Sequence, residues 1–100
     1  MNFDHLPLHD APVESITYLW EQHILRIELS AFMKPGEDAI PYILQFSGVR
    51  EFKIPHEEPW GPSVYINRIE SENGEYNIEM QSGDVISIKS EGYEFSQIPL

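Results

Sequence analysis

The feature that most constrains this chain is alternation of period two. From Ile24 to Ala31 the odd positions are Leu25, Ile27, Leu29 and Ala31, with Arg26, Glu28 and Ser30 between them. Successive side chains of a strand point to opposite faces, so this segment reads as a half-buried strand. No stretch of ten residues carries the 3.6-residue period of an amphipathic helix. Val13 to Trp20, rich in β-branched and aromatic residues, reads as the preceding strand, joined through Glu21-Gln22-His23. A three-residue loop centred on Gln22 predicts Leu19 opposite Leu25, Thr17 opposite Ile27, and Tyr18 opposite Arg26 in cation–π range.

Pro35-Gly36 suits the centre of a type II turn. A long strand is expected from Ile40 to Ile54, with Tyr42, Leu44, Phe46, Phe52 and Ile54 on one face and a bulge at Gly48-Val49 that bends it from one sheet to the next. Three prolines and a glycine between Pro55 and Pro62 exclude a regular element there. Ser63 to Glu70 reads as a strand. Asn73-Gly74 then marks a type I′ hairpin that sets Ile69 against Ile78 and Arg68 against Glu79. A loop centred on Gly83 predicts Met80 opposite Ile86 and Ile78 opposite Ile88. Tyr93 and Phe95 suit a last edge strand within Gly92 to Leu100, and Asp4 to Asp10 has room for a single helical turn limited by Pro7. The expected fold is all-β: an antiparallel meander of about six strands, forming an open barrel or a small two-layer sandwich, with residues 1–100 as a single β domain.

Composition narrows the function classes. Seventeen acidic against six basic residues give a net charge of −11, which argues against a nucleic-acid or anionic-membrane binder. There is no cysteine, which removes disulfides, thiolate metal sites and thiol nucleophiles. The start, Met-Asn-Phe-Asp-His, has neither the basic nor the apolar region of a secretory signal, and no apolar run spans a membrane. A cytoplasmic protein is expected.

Few residues suggest chemistry. His5 and His9 in Asp-His-x3-His-Asp would need a helix to share a metal, and Pro7 lies between them. No metal and no cofactor are therefore expected, and His9 and Asp10 are read as capping the first strand. The serines lack a nucleophile-elbow context, and adjacent acids are commonplace in so acidic a chain, so no catalytic residue is assigned. Trp20, at a strand end, is expected in the core or at its rim. Trp60, in the rigid Pro-Trp-Gly-Pro-Ser loop and flanked upstream by Glu57 and Glu58, is the candidate partner-binding anchor. Its alternative role is to fold back and plug an open barrel end.

The segments His9-Asp10-Ala11, Phe46-Ser47-Gly48-Val49, Trp60-Gly61-Pro62-Ser63 and Glu79-Met80-Gln81-Ser82-Gly83-Asp84, with Val85-Ile86-Ser87-Ile88, carry a resemblance. Together they resemble a group of small acidic bacterial proteins, some of them similar to the immunity proteins of contact-dependent or polymorphic toxin systems. The resemblance implies a bacterial cytoplasmic protein that binds another protein, and it brings no functional residues with it. The leading expectation is a non-enzymatic protein-binding module, an immunity-type inhibitor of a basic toxin domain. The alternatives are a small-ligand or metal-binding β-barrel using His5, His9, His56 and Trp60, and a structural homo-oligomer formed through edge strands.

Overall fold

The computed structural model describes residues 2–99. Among these residues eight strands follow a short 3₁₀ turn at Phe3–His5: β1 (Val13–Leu19), β2 (Ile24–Ala31), β3 (Ile40–Ser47), β4 (Glu51–Lys53), β5 (Ile66–Glu72), β6 (Glu75–Met80), β7 (Val85–Lys89) and β8 (Gly92–Gln97). They form two antiparallel sheets with strand orders β1-β2-β3-β8 and β4-β7-β6-β5. Neither sheet closes on itself, so the fold is a two-layer sandwich and not a barrel. The expected six strands become eight for two reasons. The stretch from Ile40 to Ile54 is cut into β3 and β4, and the tail forms a full strand on β3.

The cut lies at Gly48, whose φ of +64° takes the chain out of the first sheet instead of bulging within it. The return crossing, from β7 to β8, runs beside it. Arg50 N–H donates to Lys89 C=O at 2.8 Å, and Glu91 N–H to Ser47 C=O at 3.0 Å. A Cβ on Gly48 would stand 2.5 Å from the Glu91 side chain, so both the backbone angle and the close approach favour glycine there.

Leu25, Ile27, Leu29, Leu44 and Phe46 from one sheet meet Ile66, Ile78, Ile86 and Ile88 from the other in a fully buried core. The alternation read from the sequence holds for β2, β3, β6 and β7. Two hairpin registers differ from expectation. The β1–β2 turn has four residues, Trp20 to His23, with His23 at φ +57°, so Tyr18 pairs with Leu25 and Thr17 with Arg26. That one-residue slip turns Ile16 and Tyr18 toward the core, in place of Thr17 and Leu19. Arg26 then reaches Gln45 at 3.1 Å instead of lying across from Tyr18. In the β6–β7 hairpin the loop is centred on Ser82, with Gly83 in its last position at φ +92°, so Ile78 pairs with Ile86 and Tyr76 with Ile88. A type I turn followed by a left-handed glycine is a common three-residue hairpin loop. The Asn73-Gly74 turn has both central residues at positive φ, and Ile69–Ile78 and Arg68–Glu79 pair as expected, the latter with a 3.3 Å ion pair.

The N-terminal segment closes one lateral side of the sandwich. Phe3, Leu6 and Leu8 are buried; Phe3 packs edge-on against Tyr76 and Tyr93, with ring centroids at 4.9 and 5.3 Å. Asp10 N–H donates to Ile66 C=O, and Ile66 N–H to Ala11 C=O, so the segment is bonded to the start of β5. On the opposite side β1 meets β4 through the rings of Tyr18 and Phe52, with centroids at 4.6 Å, and the seam stays partly open.

Candidate functional site

β4 and β5 are the two outer strands of the second sheet, so the chain joining them must travel from one edge to the other. It crosses over the β6–β7 turn, and its prolines remove three backbone donors that no ladder could satisfy. The turn satisfies others. Trp60 N–H donates to Ser82 C=O at 2.8 Å, and Gln81 N–H donates to Tyr65 C=O at 2.8 Å. The main tie is the carboxylate of Asp84, which is only 5% exposed. It accepts the N–H groups of Glu57 at 2.8 Å and Glu58 at 3.1 Å, and the Ser82 hydroxyl at 2.7 Å. The Glu57 N–H, followed by the Ser82 hydroxyl, holds the Asp84 carboxyl below the usual carboxylate range against the opposing effect of burial.

This latch fixes Trp60. Its ring lies on Gly83, where a Cβ would come within 2.7 Å of Trp60 Cδ2 and 2.8 Å of Pro59 Cγ. Yet Trp60 is 66% exposed. It therefore presents one face of a positioned indole to solvent and plugs nothing; Phe3 and its neighbours do the plugging.

The two flanking glutamates differ. Glu57 is exposed, whereas the Glu58 carboxylate turns back into the loop, where Oε2 accepts Ser63 N–H at 3.3 Å and lies 3.7 Å from His56 Nε2. Of the pair, Glu57 is the one that offers free charge.

Beneath this loop lies a cavity of about 340 Å³. Ile16, Ile54, Val64, Met80 and Ile86 make its apolar wall, with Glu14 and His56 among its polar lining residues. An open groove of about 750 Å³ lies at the other end of the uncovered side, lined by Tyr18, Trp20, His23, Arg50 and Phe52. Trp20 is 79% exposed and outside the core: the four-residue turn moves it off the strand and onto the hairpin tip.

The histidines serve other ends. His9 Nδ1 is 2.7 Å from Asn67 C=O, and Asp10 accepts from Gln81 Nε2 at 2.6 Å, so this pair fastens the N-terminal segment to β5 and to the β6–β7 turn instead of capping β1. His5 and His23 are exposed on their turns. Among the described residues, no three His, Asp or Glu side chains are grouped to hold a metal ion. Also among them, no helix is long and apolar enough to cross a membrane.

Sequence reasoning singled out Trp60, Glu57 and Glu58 but missed Asp84. The available signal was a Ser-Gly-Asp turn followed by a strand, which predicts a hairpin but not what the aspartate reaches across to hold.

No family model matches this chain, and no curated protein matches it. The crystal structure of an uncharacterized protein from Neisseria gonorrhoeae is similar to it, with 18% sequence identity over 92% of this chain and 93% of that one, and a TM-score of 0.59. At that identity the similarity establishes a shared fold.

Proposed function

We propose that this protein is a non-enzymatic binding module for a basic protein partner, of the kind that immunity-type inhibitors of toxin domains represent, acting in a bacterial cytoplasm. The observation that carries the reading is Trp60: a two-thirds exposed indole held in place by a loop that is itself latched to the buried Asp84. A large ring fixed before binding loses little conformational freedom on association, which is what makes an aromatic side chain an effective anchor. The net charge of −11 supplies long-range attraction for a basic surface and repels nucleic acid.

The test is capture of a partner on the tagged chain, followed by association kinetics. Trp60→Ala is expected to speed dissociation, whereas Glu57→Gln slows association. Screening shortens to about 3 Å at 1 M salt, so the association rate should fall steeply as salt rises from about 0.02 to 0.5 M. A captured partner whose association ignores salt and whose dissociation ignores Trp60→Ala overturns the reading.

A further inference from the structure

We infer that the open side of the sandwich takes an extended segment of the basic partner, added as a strand along the free edge of β1 with one apolar side chain seated in the cavity beneath the 54–64 loop. This rests on the binding reading above and names where, and in what conformation, the partner's chain would lie.

The edge of β1 is available. Among the described residues β1 pairs with β2 alone, and after the bond from Val13 N–H to Val64 C=O no backbone hydrogen bond crosses its outer side. An edge strand carries alternating unpaired N–H and C=O groups, the template that strand addition uses. The cavity looks onto this edge. Val13, Glu14, Ser15 and Ile16 all line it. A bulge between Val13 and Ser15 breaks the alternation of faces there and lets consecutive residues border one cavity, while regular pairing with β2 runs on from Ser15 to Leu19 and leaves that part of the outer edge straight.

The lining specifies what enters. Its lining is mainly apolar, with Met80 and Ile86 almost fully buried, and the buried Asp84 and Ser82 beside them are bonded to one another and to the loop backbone. Its volume stands at the small end of the roughly 300–1,000 Å³ typical of ligand pockets, which suits a single side chain. No Lys or Arg contributes to it, while Glu14 does and the exposed Glu57 follows His56 on the adjoining loop. An apolar side chain beside lysines or arginines fits that combination. A second copy of this chain would bring another eleven negative charges to the same rim.

The probe is an acetylated, amidated hexapeptide, Lys-Val-Lys-Val-Lys-Val, titrated into the isotopically labelled full chain and followed by NMR. The expected shifts fall on the amides of Ser15 to Leu19 and on the methyl groups of Ile16, Val64, Met80 and Ile86. N-methylating alternate peptide amides should weaken binding by about tenfold or more, since it deletes the strand-pairing donors. Val64→Arg, at a half-exposed rim position, should weaken it comparably without lowering Tm. The Glu-for-Lys peptide should not bind. Shifts scattered over the acidic surface, indifference to N-methylation, or no shift at millimolar peptide would each overturn the groove. So would β1 shifts that appear on raising protein concentration alone, which would assign the edge to a second copy. Trp60→Ala should leave the peptide titration intact. A captured partner sensitive to Trp60→Ala but not to Val64→Arg keeps the binding module and removes the groove; the reverse keeps the groove and removes the Trp60 anchor.

Discussion

Between β8 and β5 the chain's own N-terminal segment fills the gap with Phe3, Leu6 and Leu8, whereas between β1 and β4 the 54–64 loop and the Tyr18–Phe52 contact cover it only in part. Both sides pose the same problem, a pair of sheet edges flanking an apolar interior. On the first, β5 is tied to the N-terminal segment by backbone bonds at Ile66 and by side-chain bonds at Asn67 and Ser71, and aromatic rings close the seam. On the second, the edge of β1 carries the exposed polar residues Glu14, Ser15 and Thr17, and a cavity and a groove remain open. Polar side chains on an edge strand discourage indiscriminate pairing without satisfying the backbone. On the proposal made above, the covered side belongs to stability and the partly open side to recognition, so substitutions on the two should differ in kind.

The largest expected difference is between Phe3→Ala and Phe52→Ala. Phe3 is 2% exposed and touches rings on both sheets, so its truncation should cost about 3–5 kcal/mol. Phe52, on β4, is only partly buried and packs on Tyr18 at 4.6 Å, so its loss should cost about half as much or less. Urea midpoints measure both. Equal losses would mean that the uncovered side bears as much of the fold as the covered one.

Next in size is Gly83→Ala compared with Gly36→Ala. Both glycines have positive φ, at +92° and +81°, so both substitutions carry backbone strain of about 1–3 kcal/mol. Gly36 faces empty space, as the Lys34-Pro35-Gly36-Glu37 turn leaves it, whereas a Cβ on Gly83 strikes the Trp60 ring. Gly83→Ala should therefore cost more than Gly36→Ala and shift Trp60 emission, read in a Trp20→Phe background. Equal costs with unchanged emission would show that the ring does not rest on the turn.

How much of this could be read from the sequence is clearest in the hairpins. Asn73-Gly74 set the β5–β6 register correctly because a two-residue turn needing positive φ twice leaves one solution. At β6–β7 the loop length was right but its centre was one residue too late. Moving the centre shifts pairing by two residues, so Ile78, Met80, Ile86 and Ile88 stayed on the correct face. At β1–β2 the loop was one residue too short, and the side chains of β1 from Ser15 to Leu19 changed face, while the bulge after Val13 kept that residue on the core side. The signal there was His23 in a left-handed conformation, which a sequence marks weakly. The buried N-terminal segment and the Asp84 latch were illegible for a different reason. Both join residues far apart in the chain, and nothing local in Phe3 or Asp84 records its distant partner.

Acid should act on the loop that roofs the cavity. Asp84 is held below its ordinary value by the Glu57 N–H and the Ser82 hydroxyl. A carboxyl lowered on folding contributes stability that is complete above its unfolded value, near pH 4, and lost as pH falls through the lower folded value. Asp84→Asn lacks that contribution and turns an amide toward N–H groups that need an acceptor. The gap between wild-type and Asp84→Asn urea midpoints should be widest above about pH 5 and shrink toward pH 2. Amides of Glu57 and Glu58 should exchange faster in the variant while those of β1 do not. A gap independent of pH would mean that the charge of Asp84 plays no part in holding the loop.

The smallest expected effects separate the two exposed tryptophans. Trp20 sits on a hairpin tip with an edge-on contact to Tyr18 at 5.8 Å, and Trp60 lies on Gly83 in a latched loop. Trp20→Ala should change stability by no more than about 0.5 kcal/mol, as surface substitutions usually do. Trp60→Ala uncovers apolar surface of the β6–β7 turn and should cost about 1 kcal/mol at roughly 25 cal/mol per Å². The sharper readout is motion. In single-tryptophan variants made with Phe, the two rings should be quenched similarly by acrylamide, since both are open to solvent, but Trp60 should show the higher steady-state anisotropy. Releasing the latch with Asp84→Asn should lower the anisotropy of Trp60 and leave that of Trp20 alone. If both rings move alike in the wild type, Trp60 has no claim to be positioned before binding, and recognition would fall to the β1 edge, where backbone and cavity, not an indole, select the partner.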